Sequence, residues 1–345
     1  MTASTAAGGG SLYIIGELNH RGTPTEFYKI GIVRDSERNR TVDDRLADHQ
    51  TGNPRELYVA HAAQSASVER VETLLHGQFA TKRIGGEWFH LPNDTLAHVI
   101  ATTTEHIAAA NTHAPIADNA KQLASVISNG LVIEPTNEHL SIHSQQHDIR
   151  RQLAACKAAI SHLTNELVEY QHATQPDRPW VHLEHKTART TFDKTAFEAS
   201  HPNLYANYLT TESTMTKTFR VNKPNDDNRP LNDINEHLSA LCDTATHMNA
   251  ATHDGETLHQ HYLDVLAQQT ILKWEDEQLD AQLRVACGAN DGINAICTWK
   301  RQPTTRETFD VDALKHDQPD LYSQFIATSK PTIARNPVKD LRYRV

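Results

Sequence analysis

Apolar residues crowd into short runs over the first ninety positions and then thin into sparse stripes at helical spacing. Leu12-Tyr13-Ile14-Ile15, within Ser11–Leu18, and Phe27–Val33 read as two strands. The segment between them, Asn19-His20-Arg21-Gly22-Thr23-Pro24, is rich in turn formers, which predicts a hairpin. Val42–Gln50 reads as a short helix, with Leu46 facing one way and Arg45, Asp48 and His49 another, stopped by Gly52 and Pro54. Glu56–Ala63 reads as a third strand. Ser65 or Ser67 then caps a helix through Phe79, carried by Val68, Val71, Leu74 and Leu75. A Gly-Gly turn leads to Trp88-Phe89, and Asn93 or Asp94 caps a helix running toward Ala110. The expectation is a small α/β domain over 11–108, a three-stranded sheet with flanking helices. Residues 1–10, small and polar, are expected to be a disordered leader.

Residues 111–117 read as a polar, Pro-containing linker. Beyond it the chain becomes mostly helical. Glu138–Gln171 carries a narrow stripe of Ile149, Leu153, Ile160, Leu163 and Leu167. Leu258–Ala286 carries another, including Tyr262, Val265, Leu266, Ile271, Leu279 and Leu283. Stripes this narrow suit a helical hairpin or coiled pair.

An internal repeat runs through this region. Thr191-Phe192-Asp193, Ala196, Pro202-Asn203-Leu204-Tyr205 and Tyr208 match Thr308-Phe309-Asp310, Ala313, Pro319-Asp320-Leu321-Tyr322 and Phe325. The offset is 117 throughout (308 against 191, 322 against 205), and Arg189 matches Arg306. Two units, 109–224 and 225–345, are therefore expected, each a long helix, a β-hairpin and two short helices. Asp193 and Asp310 are the expected N-caps, and each Pro fits a first helical turn. Phe192 with Tyr205, and Phe309 with Tyr322, are expected to form two equivalent small cores.

Composition narrows the function. The chain has 345 residues, 38% of them hydrophobic, and a net charge of −10, so no global basic field draws in nucleic acid. Any DNA contact must come from a local patch. The 22 histidines fall mostly in polar stretches and read as solvated surface. The four cysteines form no C-x-x-C pair, which excludes zinc ribbons and thioredoxin-like redox motifs and leaves free thiols as the expectation. The first ten residues lack the cationic start and apolar run of a signal peptide. No stretch approaches ~18 apolar residues, so no membrane span is expected and the cytoplasm is the expected compartment.

The order and spacing of Leu12-Tyr13-Ile14-Ile15, Tyr28-Lys29-Ile30-Gly31-Ile32, Arg45 to His49 running into Thr51-Gly52-Asn53-Pro54, Glu72 to His76 and Gly86-Glu87-Trp88-Phe89 resemble the GIY-YIG nuclease superfamily, in its phage-type DNA-binding branch. That resemblance implies phosphodiester hydrolysis with one divalent metal, magnesium or manganese, held by a single glutamate. Tyr13 falls at the first motif tyrosine and would orient or deprotonate water. Lys29 falls at the second tyrosine, as a phosphate contact or perturbed base. Arg45 would stabilise charge on the scissile phosphate, with His49 as auxiliary base or acid on the same helix face. Glu72 fits the metal glutamate, with Glu69 one turn earlier as the competing candidate. His76 would orient Glu72 or touch phosphate, and Gly31 would let DNA or the Arg45 helix approach. Tyr28, Lys82 and Arg83 complete the expected DNA contacts. Trp88 reads as core packing. The alternative is a DNA-binding or interaction module on the same fold without cleavage, favoured by Lys29 and the acidic net charge.

The last ninety residues are similar to the tail of YqaJ-like phage recombination nucleases. The residues that carry this are Trp299-Lys300, Asp310, Ala313-Leu314-Lys315, Pro319-Asp320-Leu321-Tyr322 and Phe325. It implies a phage or mobile-element setting and recombination or phage proteins as possible partners of the repeat region.

Overall fold

The computed structural model describes residues 8–37, 40–223 and 229–340. Of the expected leader, residues 1–7 lie outside that range and Gly10 already opens a strand. The boundary expected between 224 and 225 also lies outside the described residues.

The first domain follows the apolar runs. Strand β1 (Gly10–Leu18) and strand β2 (Pro24–Arg34) pair antiparallel with Leu12 opposite Ile32 and Tyr13 opposite Gly31. The turn between them is held by Asn19, whose Oδ1 accepts from the Arg21 and Thr23 amides at 2.8 and 3.1 Å. Helix α1 (Val42–Gln50) follows, opened by a capping box between Thr41 and Asp44. Strand β3 (Leu57–Ser65) pairs antiparallel with β1, and helix α2 (Val68–Gln78) comes next. Two short strands, β4 (Arg83–Gly85) and β5 (Trp88–His90), extend the three expected strands to five, in the order β3-β1-β2-β5-β4. Alternation divides the sheet into two faces. Leu12, Ile14, Tyr28, Ile30, Ile32 and Phe89 pack against α2. Tyr13, Ile15, Val33, Leu57 and Trp88 pack with Val42 and Leu46 of α1.

The expected linker is not a linker. Helix α3 runs unbroken from Asn93 to Leu123, with Pro115 inside it. Its buried residues include Ile107, Ala110 and His113, and the His113 ring meets Trp274 edge-on at 5.2 Å. A tertiary partner far along the chain holds a stretch that is locally polar.

Next come strand β6 (Val132–Ile133) and helix α4 (Asn137–Thr174), then β7 (Val181–Lys186), β8 (Thr190–Phe192), α5 (Lys194–Ser200), α6 (Pro202–Asn207), β9 (Leu209–Met215) and β10 (Arg220–Val221). After α7 (Leu231–Ile234) and α8 (Glu236–His247), helix α9 (Gly255–Cys287) spans 33 residues, about 50 Å. The chain ends through β11 (Gly292–Ile293), β12 (Cys297–Thr298), β13 (Pro303–Phe309), α10 (Val311–Asp317), α11 (Pro319–Gln324), β14 (Ile326–Thr328) and β15 (Thr332–Pro337).

Helix α9 is the spine. Its Leu258, Leu263 and Val265 join Leu163 and Leu167 of α4 and Leu238 of α8 in one core. Its Trp274 enters the core of the first domain. Its Leu279, Leu283 and Cys287 close a third core with Ile142 of α4 and Trp299. Leu167 meets one end of α9 and Ile142 the other, so α4 and α9 run antiparallel, the helical pair that the stripes predicted. Fully buried Arg301 ties the helix ends together. Its guanidinium donates to the carbonyls of Leu123, Gly288 and Asn290 at 2.8–3.0 Å and lies 3.9 Å over the Trp299 ring. Three histidines expected at the surface, His113, His143 and His259, are buried. All four cysteines are buried thiols.

The matched segments adopt matching structures. Helices α5 and α10 begin after Asp193 and Asp310, each accepting from the amide three residues on at 3.0 and 2.8 Å. Pro202 and Pro319 open α6 and α11. The expected separate cores are replaced by one. Strand β9 pairs with β13, β8 with β14 and β7 with β15, so each segment borrows strands from the other. Tyr205 stacks on Phe309 at 4.6 Å and Tyr322 on Phe192 at 5.3 Å, the exchange of the expected partners. No described helix is long and apolar enough to cross a membrane.

Candidate active site

Most of the polar residues singled out in the first domain gather around the sheet face beneath α1. Tyr13 lies in β1, 2% exposed, directly across from Gly31. A Cβ on Gly31 would sit 2.5 Å from the Tyr13 hydroxyl oxygen and 2.6 Å from its ring. Gly31 thus makes room for the Tyr13 ring and is itself buried, so the expected DNA contact at Gly31 has no surface to form on. Arg45 and His49 project from one face of α1. The Tyr13 hydroxyl and His49 Nε2 are 3.1 Å apart. Arg45 Nη2 donates to both Glu37 carboxylate oxygens, at 3.0 and 3.3 Å, while its buried Nε finds no partner among the described residues. Lys29, buried on the same face of β2, donates to Glu87 at 2.5 Å.

Helix α2 covers the opposite face, yet Glu72 joins this neighbourhood. Strand β5 stops pairing with β2 at Trp88 opposite Lys29. Beyond that point His76 Nε2 reaches the Ile30 carbonyl at 3.0 Å, so α2 seats against the edge of β2. Glu72, one turn earlier, comes within electrostatic range of Glu87 and Lys29. Burial and then the Glu87 charge push its carboxyl up to about 7. Glu69 instead pairs with Arg34 at the surface, which leaves Glu72, half-buried, as the carboxylate nearer the site. Burial, then Glu87, pushes the Tyr13 phenol up to about 12. Burial, then Lys29 and Arg45, holds the His49 imidazole below its ordinary value. His76 is lowered chiefly by burial.

The remaining expected contacts separate from this group. Tyr28 is 1% exposed in the α2-side core, its hydroxyl 3.3 Å from that of Tyr58, so it has no surface to offer DNA. Arg83 donates to the Gly86 carbonyl of its own turn and lies 6.0 Å from the Phe89 ring centre, on the far face of the sheet from Tyr13. Lys82 is exposed beside it. His76 bonds backbone rather than Glu72. Two carboxylates at the site were given no site role from the sequence, Glu37 and Glu87. Glu87 lies in the turn just ahead of β5, and only the pairing of β5 with β2 brings it to Lys29. No group of three His, Cys, Asp or Glu side chains able to hold a metal ion forms among the described residues. A hard cation held by one carboxylate, with water and phosphate oxygens as its other ligands, would relieve the burial and the Glu87 repulsion at Glu72, which Arg34 and Lys29 offset only in part.

Beside His49 the same face opens into a cleft of about 550 Å³. Phe27, Ile84 and Trp88 form an apolar wall. Glu17, Asn53, Arg55 and His49 supply its polar groups.

Residues 10–104 match the T5orf172 domain. That domain is phage-associated. The match spans the whole five-stranded sheet with α1 and α2 and ends inside α3; it covers every residue of the site. No curated protein and no solved structure matches the chain.

Proposed function

We propose that the T5orf172 domain of this chain is a metal-dependent DNA endonuclease of GIY-YIG type, in a phage or mobile-element setting. The observation that carries the reading is the Tyr13–His49 contact at 3.1 Å, part-buried between β1 and α1 with Arg45, Lys29 and Glu72 around it. A phenol near 12 is a poor base by itself. A neutral His49, by contrast, accepts the Tyr13 hydroxyl proton at Nε2. An attacking water passes its proton to the Tyr13 oxygen as Tyr13 passes its own to His49, and the hydroxide forms a bond to phosphorus as the bond to the leaving oxygen breaks. Arg45 and Lys29 offset charge on the phosphate once DNA displaces Glu37 and Glu87. Glu72 would hold magnesium or manganese, which supplies charge neutralisation at the phosphate.

The second reading is a DNA-binding module that does not cut. The observation favouring it is that the two cations acting most strongly on His49 already hold carboxylates, Lys29 on Glu87 and Arg45 on Glu37. Supercoiled plasmid incubated with magnesium or manganese separates the two. Nicking by the wild type and none by Glu72→Gln supports the nuclease; retained DNA binding with no nicking by the wild type supports the module.

A further inference from the structure

We infer that the cleft beside His49 receives one unpaired nucleobase from the strand being cut, so that the substrate is DNA with a base out of its stack. The inference deepens the nuclease reading and rests on it. His49 looks two ways: its Nε2 meets Tyr13, and its ring lines the cleft. A group seated in the cleft is therefore a direct neighbour of a phosphate held at Tyr13 and Arg45.

The lining says which part of a nucleotide that group is. Arg55 is bonded to Glu17, so the two charges in the wall cancel. His49, held below its ordinary value, adds no charge near neutrality. A wall of cancelled charge facing Phe27, Ile84 and Trp88 suits a planar uncharged ring rather than a phosphate. Asn53 adds a directed donor. Its Oδ1 accepts from the Arg55 amide at 3.0 Å, which leaves the amide NH2 to donate to an acceptor on a base edge. Its loop is fixed by Gln50, which donates to the Asn53 and Arg55 carbonyls at 3.1 and 2.9 Å and accepts from the Leu57 amide at 2.8 Å. A volume of about 550 Å³ suits one base and its sugar. A base stacked in a duplex has neither face free for such walls, so the base must leave the helix.

The test measures binding without metal, by fluorescence anisotropy. Three labelled duplexes are compared: fully paired, with one extrahelical thymine, and with an abasic residue in place of that thymine. The wild type is expected to bind the extrahelical base about tenfold more tightly than the other two. Phe27→Ala and Asn53→Ala are expected to bring the three affinities together. Thermal melts check that each variant folds; if Phe27→Ala does not, Asn53→Ala on its surface loop decides alone. Equal wild-type affinities, or a preference that survives in every folded variant, overturn the inference. Adding magnesium then separates the two readings. A base preference without nicking keeps the cleft assignment and removes the nuclease. Nicking without a base preference does the reverse.

Discussion

Gly31 and Tyr13 form a fitted pair, since the ring occupies the space a Cβ on residue 31 would need. Gly31→Ala should force the Tyr13 ring off His49, destabilise the fold by about 1–3 kcal/mol as over-packing does, and abolish cleavage. Urea denaturation with a nicking assay checks both effects. Glu72 carries a cost of another kind. Its folded pKa is raised from 4.5 to about 7. A raised folded pKa favours the fold fully below the unfolded value, and that contribution is lost as pH rises through about 7. Glu72→Gln mimics the neutral acid, so at pH 8 without metal it should stabilise the protein, by about 1–2 kcal/mol after allowing for solvent screening. Near pH 4 it should change little. Melting temperatures at the two pH values report the difference; a destabilised variant at pH 8 would remove burial as the reason for the shift.

At the scale of elements, the packing of α3 on α9 joins the first domain to the helical region. Trp274→Ala should destabilise the first domain by about 3–5 kcal/mol, although Trp274 lies outside it in sequence. Limited proteolysis should not release a stable fragment ending at 111–117. Release of such a fragment from the wild type would contradict the shared core. The long helices were legible from their stripes: Glu138–Gln171 was expected against Asn137–Thr174, and Leu258–Ala286 against Gly255–Cys287. The extent of α3 was not, because Pro115 and its polar neighbours read locally as a break, and Trp274 lies far away in sequence. The elements that carry Tyr13, Arg45, His49 and Glu72 were legible, since each has its own apolar pattern. Glu87 was not, because its bond to Lys29 depends on the register of β5 against β2, which no local pattern sets. The surface assigned to Tyr28 failed for a related reason. Next to Lys29, it takes the opposite face of the sheet and enters the core.

Across the whole molecule, the two matched segments share one aromatic core through exchanged strands. Phe309→Ala should therefore weaken both segments together, by about 3–5 kcal/mol. Hydrogen exchange should then rise in β8 and β9 as much as in β13 and β14; a rise confined to the second segment would show independent units. The first domain should keep its protection, because none of its residues enters that core. The central claim concerns that domain, and a nicking assay on the intact chain tests it most directly. Supercoiled plasmid with magnesium or manganese should be nicked by the wild type and left intact by Glu72→Gln, with the variant shown to be folded by its melting curve. Wild-type nicking that persists in Glu72→Gln, or none with either metal, would contradict the account.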